Sequence, residues 1–273
     1  MSGSLFHYTD IGAVRAILEN CELWLTDLRF LNDAQELNDG VVFILDALGK
    51  ERKDFNGLGE HFDDAVKLLT SSFDDHISVW IDDEPTFVCS FSEAGDQLSQ
   101  WRAYGGYAIE FDRAALSADL ELFDCVYDRV KKIDIAEDLV DQSIHGLAAD
   151  FKLYDGSAGP DSLDFLYSLV RTASTFKNES FYEEREVRSI IDMEIPSKNL
   201  KFRQRGNILI PYMVASFSLE CVKAIHIGPM RDQDLAYTSL RALVSSLLRS
   251  HVADGGGVEH EIAIIKSAIP YRS

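Results

Sequence analysis

The stretch "PTFVCSFSEAGDQLSQWRAYGGYAIEFD", residues 85–112, decides the fold class. After Pro85, the β-prone run Thr86 to Ser92 reads as a strand. "AGDQLSQWRAYG" then reads as a short amphipathic helix with Leu98, Trp101 and Tyr104 on one side. Gly105 and Gly106 form the turn that feeds a second strand, "GYAIEFD". Upstream, "LFHYTD" reads as a strand ending in a helix cap. Thr9 or Asp10 accepts there from the first turn of "IGAVRAILEN", whose stripe is Ile11, Val14, Ile17 and Leu18. "CELWLTD" is a short apolar strand before a turn rich in Asn and Asp, and residues 36–50 and 61–72 have helical patterns.

Downstream, "LELFDCVYD" reads as a third strand and residues 130–152 as a long helix. "LYDGSAGPDS" is a loop, and a further helix covers about 161–177. "REVRSIID", "ILIPYMV" and "VKAIHIGP" are strands, 231–250 a helix, "DGGG" a turn and "HEIAIIKSAI" the last strand. Strands and helices mix without regular βαβ alternation, which predicts α+β rather than doubly wound α/β. The expected organisation is one α+β domain over 1–273, with a surface loop near 153–160.

The chain has 273 residues, 46% hydrophobic and 26% charged, the composition of a globular protein able to bury a substantial core. No apolar run approaches the ~20 residues that span a bilayer, and "MSGSLFHYTD" lacks a signal-peptide layout. Cys21, Cys89, Cys125 and Cys221 are scattered with no CxxC pair, so neither a disulfide framework nor a zinc knuckle is indicated. The expectation is a cytoplasmic protein with reduced thiols that keeps off membranes. Net charge is -20, and residues 1–100 carry 20 Asp+Glu against 6 Lys+Arg. Such a field repels nucleic acid and anionic membranes. "KFRQRG" is the local exception. If extended, it puts Lys201, Arg203 and Arg205 on one face, as an anion site or as a charged strand edge that resists aggregation.

"FYEEREVRSIID", residues 181–192, raises the chemical question. Read as a strand, it places Glu184 and Glu186 on the same face. The bland reading is a solvated strand end with local salt bridges; the sharp one is a catalytic carboxylate pair. GxGxxG, Walker and GxSxG motifs are absent, and "EHEIAI" is not a zinc motif because Ile264 follows His260 at the fourth position. His226, on an apolar strand before Gly228-Pro229, reads as a buried, hydrogen-bonded imidazole.

Taken together, these segments resemble the bacterial family catalogued as domain of unknown function twenty-nine seventy-one. The resembling residues are "HYT" near the start, Asn32, Asp33 and Glu36 in the turn, and Cys89 through Phe111. Lys177, Phe181, Tyr182 to Arg188 and the closing "IKSAIPYR" complete the pattern. A second resemblance, to the ADP-ribosyltransferase superfamily, lies in the order of His on the first strand, a Ser or aromatic element in the middle and Glu on a later strand. It implies a mixed, mostly antiparallel split sheet with peripheral helices, NAD as substrate and transfer of ADP-ribose to a macromolecular acceptor by a toxin or defence effector. A regulatory protein partner would fit the same reading.

The resemblance implies roles residue by residue. Glu186 would hydrogen-bond the nicotinamide ribose, Glu184 would polarise the acceptor, and His7, within His7-Tyr8-Thr9, would contact NAD. Ser90 and Ser92 are the candidates for the strand element, and Tyr104 and Tyr107 for the aromatic. Trp101 reads as core and Tyr8 equally as a packing residue. Arg102 and Arg188 are candidate pyrophosphate partners, with salt bridges to neighbouring carboxylates as the alternative. Two other readings stay open. One is a hydrolase with Asp33, Glu36, Glu184 and Glu186 around Mg²⁺. The other is a non-catalytic sensor or interaction module, for which a buried His7 bonded directly to Glu186, with no cavity, would be the sign.

Overall fold

The structure is a computed structural model that describes residues 3–31, 35–74, 85–157, 159, 162–192, 198–253 and 260–271. In chain order the elements are β1 (Ser4–Thr9), α1 (Ile11–Asn20), β2 (Glu22–Asp27), α2 (Gln35–Leu48), α3 (Glu60–Asp74) and β3 (Thr86–Ser92). Then come α4 (Leu98–Tyr104), β4 (Tyr107–Asp112), α5 (Arg113–Leu116), β5 (Leu122–Asp124), α6 (Arg129–Leu153) and α7 (Ser162–Ala173). The last are β6 (Glu186–Asp192), β7 (Lys201–Arg205), β8 (Ile208–Ser216), β9 (Val222–Ile227), α8 (Gln233–Ala253) and β10 (Ala263–Lys266). Helices and a mixed sheet are present without βαβ repetition, so the fold is α+β as the sequence predicts. Pairings between these strands are antiparallel except β9 with β10.

β3 is central and is buried on both faces. Phe87, Cys89 and Phe91 enter one core, with Val14 and Leu18 of α1 and Leu240 and Val244 of α8. Val88 points the other way, into a second core with Ile44, Leu69, Val140, Ile144 and Leu169 from α2, α3, α6 and α7. In "TFVCSFS" Phe87, Cys89 and Phe91 alternate with Thr86, Val88, Ser90 and Ser92, so one face is apolar and the other, though mostly buried, is largely hydroxyl-bearing. Burying side chains such as Phe87 and Phe91 contributes roughly 1.5–3 kcal/mol each.

The sheet divides at β3. On one edge, β6 pairs along its whole length, from Thr86 with Asp192 to Ser92 with Glu186. β1 and β2 therefore share the other edge. β2 pairs at Phe87 and Val88, β1 only at Ser92, and among the described residues the edge between them has no strand partner. One half-sheet runs β10-β9-β4-β1 and the other β2-β8-β7.

Local chemistry sets the boundaries. Asp10, rather than Thr9, caps α1, its carboxylate accepting from Ala13 N at 2.9 Å. Cys21 ends that helix in the left-handed region at φ 50°. Ile11, expected on the apolar stripe, is exposed at the first helical position. Gly105 adopts φ 137°, and a Cβ there would lie 2.3 Å from Thr9 O, so only glycine fits between α4 and β4. The third expected strand shrinks to β5. Asp155 and Gly156, both at positive φ, form part of the turn after α6. The "DGGG" turn, Asn32, Asp33 and the side chain of Glu36 lie outside the described residues.

Candidate functional site

A cleft of ≈ 530 Å³ opens where the sheet divides. β1 lines it with His7 and Thr9, β2 with Trp24 and Thr26, β3 with Cys89, Ser90 and Ser92. α4 adds Gln100 and Tyr104, the segment entering β6 adds Glu184 and Glu186, and β7 adds Arg203.

His7 fills the gap in the ladder. Its Nδ1 lies 3.0 Å from the carbonyl oxygen of Ser90. A carbonyl only accepts, so Nδ1 carries the proton and Nε2 keeps its lone pair. Burial lowers the His7 pKa, against the smaller raising effect of the Ser90 bond, so the ring is neutral near pH 7. Cys89 Sγ is 3.8 Å from the same Nδ1. That nitrogen cannot take a thiol proton, and burial pushes the Cys89 thiol up to about 12. The pair is therefore not an activated Cys–His nucleophile.

Glu184 and Glu186 do not share a strand, which corrects the sequence reading. Glu184 ends a 3₁₀ turn, Glu179–Glu184, begun where the Asn178 side chain accepts from Ser180 N. Arg185 follows in the left-handed region at φ 41°, ψ 54°, and Glu186 opens β6. The two carboxylates still converge, because both reach the ammonium of Lys177. Its Nζ is 2.5 Å from Glu184 Oε2 and also bonds Glu186 Oε2. Arg188, on the same strand face as Glu186, adds Nε to Oε1 at 2.7 Å and Nη2 to Oε2 at 3.1 Å. Its Nη1 donates to Ser174 O at 2.5 Å, and Glu186 N donates to the Tyr127 hydroxyl at 2.8 Å.

Two cations thus balance two carboxylates in a buried network. Burial alone would raise the Glu186 pKa, but the charges and hydrogen bonds of Arg188 and Lys177 outweigh it and hold the group at about 2. Glu186 is an anion at any physiological pH.

The other expected site residues divide. Thr9, Ser90 and Tyr104 line the cleft. Ser92 lines it too, but its hydroxyl donates to Glu184 O at 2.5 Å and accepts from Ala94 N at 2.9 Å. Ser92 thereby fixes the approach of the Glu184 turn. Tyr8 packs its ring edge against Trp101, with centroids 4.7 Å apart, and its hydroxyl donates to the carbonyls of Ala94 and Gly95. Tyr8 thus both packs and lines the cleft, while the core assignment fits Trp101, whose Nε1 donates to Asp96. Tyr107 turns its hydroxyl to Met230 Sδ, and Arg102 is exposed on α4; neither lines the cleft. Arg188 does not line it either, being engaged with Glu186. Glu110 accepts from Ser4 Oγ at 2.6 Å and pairs with His226 at 2.8 Å on the far side of β4.

No chemical role for Lys177 is legible in the sequence, and Arg203 stands open there between an anion site and a charged strand edge. Lys177 stands nine positions before Glu186, across a 3₁₀ turn, where no periodicity relates the two. Arg203 reaches the cleft only because β7 folds back on β8, which in turn pairs with β2. Among the described residues no group of three His, Cys, Asp or Glu side chains could hold a metal ion. The carboxylates proposed for Mg²⁺ that are described, Glu184 and Glu186, already have Lys177 and Arg188 as counter-charges. His7 bonds Ser90 rather than Glu186 and borders a cavity, unlike the arrangement expected of a non-catalytic module. Among the described residues no helix is long and apolar enough to cross a membrane. No protein-family model matches the chain, and neither does any curated protein or solved structure, so the family resemblance rests on the motif residues alone.

Proposed function

We propose that the chain is an ADP-ribosyltransferase-like enzyme that cleaves the nicotinamide–ribose bond of NAD and passes ADP-ribose to a macromolecular acceptor. One observation carries this reading: His7, Ser90 and Glu186, from three different strands, line a single cleft at the division of the sheet. In the reaction the C–N bond breaks and its electron pair leaves with nicotinamide, so positive charge develops on the ribose. A fixed carboxylate beside that sugar stabilises the transition state, and Glu186 is ionised and held by Arg188 and Lys177 without needing to reorganise. The Nε2 lone pair of neutral His7 would accept from a ribose hydroxyl, and Tyr104 would flank the leaving ring. The acceptor nucleophile then bonds the sugar carbon and gives up a proton, a step for which Glu184, the less buried carboxylate, is the nearer base to solvent.

The test is nicotinamide release from NAD by the purified protein, wild type beside Glu186→Gln and His7→Phe. Release by the wild type and its loss in both variants, with circular dichroism unchanged, is the expected result. His7→Phe matters because Glu186→Gln also disturbs Arg188 and Lys177. Failure of the wild type to bind NAD overturns the proposal, as does undiminished release by both variants.

A further inference from the structure

We infer that Arg203 is the anion anchor of the cleft and holds a diphosphate group of its ligand. Among the described lining residues it is the only Lys or Arg, facing Asp10, Glu22, Glu184 and Glu186. The last two are neutralised from behind by Lys177 and Arg188. The side chain is half-buried and pinned: Nη2 donates to Thr26 Oγ1 at 2.8 Å, and the guanidinium lies 5.7 Å from the centre of the Trp24 ring. Trp24 is itself stacked on Tyr212, with centroids 4.4 Å apart, which makes a stiff pedestal. Among the described residues Arg203 has no carboxylate partner, although the chain carries 46 Asp+Glu. A partly desolvated guanidinium without a counter-charge is costly unless a ligand anion completes it.

Its neighbours reinforce the field. β7 is extended, so Lys201 and Arg205 flank Arg203 on one strand face, and Arg205 donates to the neutral carbonyl of Phe30 at 3.1 Å. Three cations on one face of a chain of net charge -20 make a local site for a doubly charged oxyanion. The guanidinium fork suits adjacent phosphate oxygens in a way that a lysine ammonium does not. A diphosphate on this wall, formed by β2 and β7, would lie across the cleft from the strand that carries Glu186. This replaces Arg102 and Arg188 as phosphate partners, and it rests on the nucleotide reading of the cleft for the ligand, though not for the anion site.

The experiment titrates wild type, Arg203→Gln and Arg203→Lys with inorganic pyrophosphate, ADP-ribose and nicotinamide riboside, which has no phosphate, by calorimetry. Arg203→Gln should weaken pyrophosphate and ADP-ribose binding about ten- to a hundred-fold, with Arg203→Lys recovering part of the loss. Nicotinamide riboside should bind both proteins within about twofold. Equal binding of pyrophosphate and ADP-ribose by wild type and Arg203→Gln overturns the anchor while leaving the NAD reading intact. Wild-type protein that binds neither overturns it as well. Arg203-dependent pyrophosphate binding without ADP-ribose binding keeps the anion site and rejects the NAD reading. Thermal melting of both variants within a few degrees of wild type identifies the loss as one of binding.

Discussion

Lys177 Nζ joins Glu184 and Glu186, lying 2.5 Å from Glu184 Oε2 while it bonds Glu186 Oε2 as well. One ammonium therefore decides whether two neighbouring carboxylates attract the chain into this turn or drive it apart. The 3₁₀ turn that carries Glu184 is also held by the Asn178 cap and by Ser92 Oγ on Glu184 O, but it adds no buried side chain to the core. Its closing residue Arg185 sits in the left-handed region. The fold of the site and the charge state of the site are thus one arrangement.

Replacing Lys177 with Met should cost about 3–5 kcal/mol of stability, because it leaves two carboxylates facing each other with only Arg188 to compensate. Urea unfolding at pH 7 measures this. Adding Glu184→Gln to Lys177→Met should return part of the loss, since the repelling pair is then gone. A Lys177→Met variant as stable as wild type would mean that the ammonium does not hold the network.

Acid should weaken the same network in a defined window. The Glu186 pKa is lowered from 4.5 to about 2 in the folded chain. Between those values the unfolded chain binds the extra proton, so this stabilisation is complete above about pH 4.5 and is lost as pH falls through 2. The linked free energy is about 3 kcal/mol. Because Gln resembles a protonated Glu in shape, the stability gap between wild type and Glu186→Gln should narrow by that amount from pH 6 to pH 2. A gap that stays constant across this range would show that Glu186 keeps an ordinary pKa.

Much of the fold was legible because its signals are local. "TFVCSFS" marks a strand by its β-prone residues, and Gly105-Gly106 marks the turn into β4, where a Cβ would strike Thr9 O. The candidate site was legible only in part. The resemblance pointed to His7 and Glu186 and left Ser90 and Ser92 as alternatives for the middle strand, but their convergence depends on β1 and β2 sharing one edge of β3. No spacing encodes that. The period-two argument failed at Glu184 because Arg185, at positive φ, ends the turn before the strand begins. Arg203 was seen as a cation on an extended edge; that the edge folds beside Trp24 and Thr26 is a property of the β2-β8-β7 pairing.

The proximity of Cys89 and His7 invites a thiol mechanism, and their reactivity separates it from the carboxylate one. Cys89 is buried, with its pKa pushed up to about 12, and His7 Nδ1 already donates to Ser90 O. Neither group can make a thiolate at pH 8. Native protein treated with iodoacetamide at that pH should therefore label Cys89 far more slowly than Cys21 and Cys125, which are only partly buried. Mass spectrometry of the digested protein reads the three sites separately. Cys89→Ala should lose no more than about tenfold in NAD turnover, since it removes one sulfur from the core and nothing from the chemistry. Rapid alkylation of Cys89 together with complete loss of turnover in Cys89→Ala would instead place the reacting nucleophile on β3, and Glu184 and Glu186 would then be its electrostatic support.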